Sequence, residues 1–241
     1  MLNLLQKHIT GYALRITTRM NGWFIATAGG RDRPAFFDID KVCPALRDID
    51  RAYPEIRAEV MAILRYQQKV PLLHETDATQ ACISSATPYD WRVFYLSLMG
   101  CKEKQNRALC PATSAATDRI PGIFQACFSI LDAGKSIPLH NGPYGGYLRY
   151  HLALIVPDEN PPQLRVRGEP YTWREGESVL FDDSHDHEVI NSSNGPRVVL
   201  IVDVPRPMPL PQALANRFGR VLGGVMYGRP TLQRATVGTT S

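Results

Sequence analysis

The hydrophobic positions change their period near Trp91. Before it they recur at three- and four-residue steps, and after it they come in short apolar, β-branched and aromatic runs. Leu2, Leu5, Ile9, Tyr12, Ile16 and Met20 fall on one face of a helix over the first 20 residues, which Gly22, Gly29 and Gly30 then break. A second helix is expected to open at Pro54, a favourable first helical position, with Ile56, Val60, Ile63 and Leu64 as its buried stripe. Residues 38–51 form a shorter helical approach, and the mixed, polar residues 71–90 read as loop. From Trp91 onward about eight short strands are expected, at 93–98, 124–131, 148–156, 163–166, 171–173, 178–181, 187–190 and 197–204. Gly168, Gly176 and Asn194-Gly195 supply turns between them. Many short strands at this spacing predict a β-sandwich or barrel. Pro205, Pro207, Pro209 and Pro211 close the strand region. A last helix carries Leu214, Phe218, Val221 and Val225 on one side. The pattern divides the chain into a helical region at 1–85, a β domain at 86–208 and a basic helix and tail at 209–241. The apolar stripes of the terminal helices are expected to dock onto the β domain.

Composition narrows the class. Of 241 residues, 44% are apolar and 21% charged, which is a soluble globular balance. No apolar run is long enough to span a membrane, and the charges spread through the first helix do not fit a signal peptide. Five cysteines, none in a C-x-x-C pair, argue against a disulfide framework or a zinc knuckle and fit a reducing cytoplasm. The net charge of +4 is unevenly spread. Residues 1–31 hold Lys7, Arg15, Arg19 and Arg31 with no acid. Beyond Asp203 stand Arg206, Arg217, Arg220, Arg229 and Arg234, again with no acid. Between them 18 bases face 23 acids. Basic ends point to an anionic partner. No helix-turn-helix, zinc finger or aromatic-basic groove supports nucleic acid, so the expected contact is peripheral, with the inner face of an anionic membrane.

Strand parity sorts the polar residues of the β domain. Over 148–156, Arg149, His151 and Ala153 share one face, with Leu148, Tyr150, Leu152 and Leu154 on the other. Over 197–204, Arg197 shares a face with Val199, Ile201 and Asp203. An arginine pointing into a sheet core needs an anion, from the protein or from a ligand. Four of the six histidines lie at 140–187. His185 and His187 have the same parity, so spacing alone leaves either one, or both, open as a ligand.

The runs FSILDAGKSIPLHNGPYGGYLRYHLALIVP from Phe128, YTWREGESVLFDDSHDHEVIN from Tyr171 and RVVLIVDVPRP from Arg197 resemble the aspartyl/asparaginyl β-hydroxylase family of iron(II)/2-oxoglutarate dioxygenases, which includes bacterial lipid A hydroxylases. The patches at Phe94, Leu109 and Ile120 are similar to it as well. The resemblance implies a mainly β fold: a double-stranded β-helix (jelly-roll, cupin-like) barrel buttressed by N- and C-terminal helices. It implies Fe(II), 2-oxoglutarate and O2 as cofactors, with His140 and His187 binding the metal. Arg197 would pair with the distal carboxylate of 2-oxoglutarate, and Ser129, Arg149 and His151 would contact the same molecule. Neutral imidazole suits iron(II), and a guanidinium fork suits a carboxylate. Two residues after His140, where the wider superfamily has an aspartate, this chain has Gly142. Asp183 is a candidate to hold a water beside the metal in place of that ligand. The implied activity is hydroxylation of an unactivated C–H in a peptidyl Asp or Asn or in a lipid acyl chain. The alternatives are a 2-oxoglutarate-dependent halogenase, a free amino acid hydroxylase and a non-catalytic cupin-like binding module.

Overall fold

The computed structural model describes residues 18–235. Most of the expected N-terminal amphipathic helix therefore lies outside the described residues. Its described end is helical over 18–27, so Gly22 does not interrupt it; the helix stops at Gly29, whose φ of 108° favours glycine. Among the described residues the strands are β1 (Phe36–Phe37), β2 (Trp91–Leu98), β3 (Cys101–Lys102), β4 (Gln125–Leu131), β5 (Ile137–His140), β6 (Tyr147–Ile155), β7 (Gln163–Val166), β8 (Glu169–Thr172), β9 (Ser178–Phe181), β10 (His187–Ile190) and β11 (Arg197–Pro205). They form a seven-stranded sheet in the order β1-β9-β6-β11-β4-β2-β3 and a four-stranded sheet in the order β5-β10-β7-β8. All neighbours are antiparallel. The expected jelly-roll class holds, with one correction. No described strand links one sheet to the other, so the molecule has two facing sheets and not a closed barrel.

Parity builds the two cores. Leu148, Tyr150, Leu152 and Leu154 of β6 and Val198, Leu200, Val202 and Val204 of β11 face outward. There they pack against Ile56, Val60 and Ile63 of α1 (Tyr53–Leu64). Each such side chain contributes roughly 1.5–3 kcal/mol by leaving water. The opposite faces of the same strands, with Val199, Ile201 and Ala153, turn toward Val166, Val189 and Ile137 of the smaller sheet. The inward positions Arg149, His151, Arg197 and Asp203 thus lie between the sheets. Residues 71–90, expected as loop, contain the short helices Leu73–Thr76 and Ala81–Ser84.

The last helix also departs from expectation. It runs as α2 (Leu210–Gly223), a π turn at Gly224–Gly228, and α3 (Arg229–Ala235). The stripe expected to dock, Leu214, Phe218, Val221 and Val225, faces solvent. The side that packs is small and polar. A side-chain carbon at Gly224 would stand 2.6 Å from the carbonyl oxygen of Met99, and one at Gly228 would stand 2.7 Å from that of Leu98. Only glycine allows this approach. No helix among the described residues is long and apolar enough to cross a membrane.

Candidate active site

His140 ends β5 and His187 begins β10, and the two are direct cross-strand partners. Their ring centroids are 4.1 Å apart. Each ring is fixed by a carbonyl two residues earlier: His140 Nδ1 donates to Pro138 at 2.8 Å, and His187 Nδ1 donates to His185 at 2.9 Å. A carbonyl can only accept, so Nδ1 carries the proton and Nε2 keeps its lone pair. Burial lowers the pKa of His140, and burial with the neighbouring His140 lowers that of His187 to about 3. Both imidazoles are therefore neutral near pH 7, the state that a metal requires. Among the described residues no cluster of three or more His, Cys, Asp or Glu could hold a metal.

The same shift sets an acid dependence. In metal-free protein the unfolded chain protonates His187 near pH 6.5, whereas the folded chain does not until about pH 3. The unfolded state binds more protons in that window, so stability rises with pH across it and is lost on acidification. Chelator-treated protein should lose up to about 1.4 kcal/mol per pH unit from His187 alone. Urea midpoints between pH 7 and 4 measure this, and His187→Gln should flatten the slope. An equal slope in that variant would show that other groups carry it.

Asp183, four residues before His187, is fully buried. Its Oδ2 accepts from Tyr147 Oη at 3.1 Å and faces Arg149 Nη1 at 3.1 Å, while Oδ1 has no partner. Burial pushes this carboxyl up to about 7 against the pull of Arg149. Arg149 is itself clamped by Asp203 through two 2.8 Å bonds. Its guanidinium thus carries two protein carboxylates, a fuller set of partners than the sequence reading gave it. Gly142 is tied to this group by its backbone: its N–H donates to the Asp183 carbonyl at 2.7 Å. A side-chain carbon at 142 would lie 2.6 Å from Asp183 Oδ2. The carboxylate at 183 therefore fills the space that a side chain at 142 would enter.

A second group lies deeper. Arg197 is 1% exposed and has no carboxylate against it among the described residues. Its guanidinium sits 4.6 Å from the Trp173 ring centroid, and Nη1 reaches Ser129 Oγ at 3.5 Å. Ser129 also accepts from Trp91 Nε1 at 3.0 Å. His151 stacks near Trp173 at 5.9 Å and meets Phe181 edge-on at 4.9 Å, and Phe181 in turn touches His187 at 6.1 Å. Aromatic contacts thus connect Arg197 to the histidine pair. Both ring nitrogens of His151, Arg197 Nε and Trp173 Nε1 are buried without a partner. So many unmet polar atoms between the sheets are costly unless a ligand meets them.

Above these groups opens a cavity of about 1020 Å³. His140, Asp183, Arg149 and Ser129 line it. His187, His151 and Arg197 stand behind that lining, His187 against His140 and Arg197 against Ser129. His185 does not join the pair, because its Nε2 is bonded to the Arg33 carbonyl at 3.1 Å. The sequence reading gave no functional role to Asp203, Tyr147 or Trp173. Asp203 carried only part of the signal, an inward parity shared with Arg197; the register of the two strands sets it opposite Arg149. The loop after His140 is held from outside. Asn21 bonds Pro143 and Gly145, and Asn216 of α2 bonds Gly146 and Tyr144.

Residues 50–207 match the family model described as aspartyl/asparaginyl beta-hydroxylase. An ornithine lipid ester-linked acyl 2-hydroxylase from Rhizobium tropici is 40% identical over 72% of this chain and 61% of its own length. The human aspartyl/asparaginyl beta-hydroxylase is 34% identical over 51% of this chain and 17% of its own. The chain therefore spans less than two thirds of either relative. A cupin domain from Bordetella pertussis aligns with 33% of this chain and 79% of its own at 15% identity and a TM-score of 0.28, too slight a likeness to argue from.

Proposed function

The chain belongs to the aspartyl/asparaginyl β-hydroxylase family, a family of hydroxylases, and we propose that it is an iron(II)- and 2-oxoglutarate-dependent dioxygenase that hydroxylates a lipid acyl chain. The observation that carries the reading is the buried, uncompensated guanidinium of Arg197, connected to the paired imidazoles through Trp173, His151 and Phe181 behind the cavity wall. When bound, iron(II) with 2-oxoglutarate and dioxygen supplies an oxidant able to hydroxylate an unactivated C–H, with release of succinate and carbon dioxide.

In this reading His140 and His187 hold the metal through Nε2. Arg197 and Ser129 receive the distal carboxylate of the co-substrate, and His151 offers a ring nitrogen to it. Arg149 is already paired with Asp203, so it steadies Asp183 and turns its remaining N–H edge toward the cavity. Asp183 offers its unpartnered Oδ1 to a water beside the metal. Trp173 and Phe181 keep bulk water from the chamber floor. The filled space beside Gly142 disfavours the halogenase alternative, which needs that space for a halide. Leu73, Ile83, Phe218, Leu222 and Met226 line the outer cavity. Apolar walls there suit an acyl chain better than a peptidyl carboxamide or a free amino acid.

The test is anaerobic loading with iron(II) and then 2-oxoglutarate. A weak visible charge-transfer band is expected, and succinate should form once oxygen is admitted. His187→Ala is expected to lose the band entirely. Absence of any band in the parent protein, with unchanged behaviour in His187→Ala, would leave the non-catalytic binding module as the better account.

A further inference from the structure

The apolar side of α2 that faces solvent is continuous with the mouth of the cavity. Leu210, Leu214, Phe218, Val221, Leu222, Val225 and Met226 are 47–71% exposed. Their spacing places them in one stripe. Asn216, which grips the loop after His140, lies buried on the opposite side of the same helix. Three residues of the stripe, Phe218, Leu222 and Met226, also line the cavity. The helix over 18–27 runs alongside, joined by the bond from Gln212 to Thr27, and it adds the exposed Trp23. Arg217 and Arg229 flank the stripe, and Arg19 stands on the neighbouring helix; all three are exposed. No acid occurs after Asp203 or before Asp32.

We propose that this face seats on an anionic lipid bilayer, with the stripe among the acyl chains and the arginines among the headgroups. The cavity mouth then opens into the membrane, and a lipid chain can enter without crossing water. An amphipathic helix with basic flanks is the form that lies in a bilayer interface, and each basic residue near an anionic surface adds roughly 1 kcal/mol. Charge decides against a second copy of the chain as the occupant. Two such faces brought together would oppose arginine to arginine with no acid to offset them. Chain entry rests on the hydroxylase reading, whereas seating on the bilayer does not.

The test uses the full chain and sedimentation with vesicles of phosphatidylcholine, either alone or mixed equally with phosphatidylglycerol. Binding is expected to the mixed vesicles, to weaken with salt, and to fall about tenfold or more in Leu214→Glu/Val221→Glu. Neither position lines the cavity, so the iron–2-oxoglutarate band of that variant should match the parent's. Failure of the band in both proteins with vesicle binding intact would sink the hydroxylase reading alone. Vesicle binding that is absent, or equal in parent and variant, overturns the docking. So does a lipid-free dimer that the variant converts to monomer, because the stripe would then be a contact between copies.

Discussion

On the dioxygenase reading, Arg197→Met is expected to raise the thermal stability of the ligand-free protein while removing nearly all turnover. The guanidinium is buried and meets no carboxylate among the described residues; burial alone pulls its pKa down to about 9. The Trp173 face and a long bond to Ser129 offset only part of the lost hydration. Replacing a buried charge with an apolar side chain of similar length commonly gains about 1–4 kcal/mol, and methionine also packs well against an indole. The loss appears with the ligand. Two charge-assisted hydrogen bonds to a carboxylate are together worth about 3–6 kcal/mol, or roughly 10²–10⁴-fold in affinity. Melting curves with and without 2-oxoglutarate read both effects. The parent should gain stability from 2-oxoglutarate and the variant should not. A variant less stable than the parent when ligand-free, yet still stabilised by 2-oxoglutarate, would assign Arg197 to structure instead.

This site was partly legible because strands alternate. Parity alone put Arg149, His151 and Arg197 on inward faces, where their types demanded partners. It could not choose the partners, since pairing across a sheet joins residues far apart in the chain: Asp203 meets Arg149 across 54 residues. Arg206 shows the same limit. By sequence it was one of the basic flanking residues, but it is buried, bonded to the Gly145 carbonyl and paired with Asp182, which also binds Arg33. β5 was missed because four residues that include Pro138 give no period to read. The helical period of α2 announced an apolar face but carried no information about what covers it. The glycines of its packed side reveal their purpose only once the turn at residues 98–101 lies against them.

Gly142→Asp, which places a carboxylate two residues after His140, is expected to damage the site. A side-chain carbon there would stand 2.6–2.8 Å from three atoms of the Asp183 carboxyl group. Asp183 has little freedom to retreat, because it is held by Tyr147 and by Arg149, and Arg149 is anchored on Asp203. Overpacking of this kind costs about 1–3 kcal/mol, and a second buried carboxylate beside the first adds to it. Asp183→Gly alone leaves the backbone room but removes the acceptor beside the histidine pair. A drop of roughly 10–100-fold in iron(II) affinity is expected, the usual scale for losing a group that supports a metal ligand. The double variant Gly142→Asp/Asp183→Gly relieves the clash and returns one carboxylate to the neighbourhood of the two imidazoles. It should melt above the Gly142→Asp single variant and bind iron(II) more tightly than Asp183→Gly. Urea midpoints and anaerobic iron(II) titrations on the four proteins give the coupling directly. Additive effects would mean that the two positions do not share one space. Strong coupling would mean that positions 142 and 183 share one space, which the Asp183 carboxylate now fills.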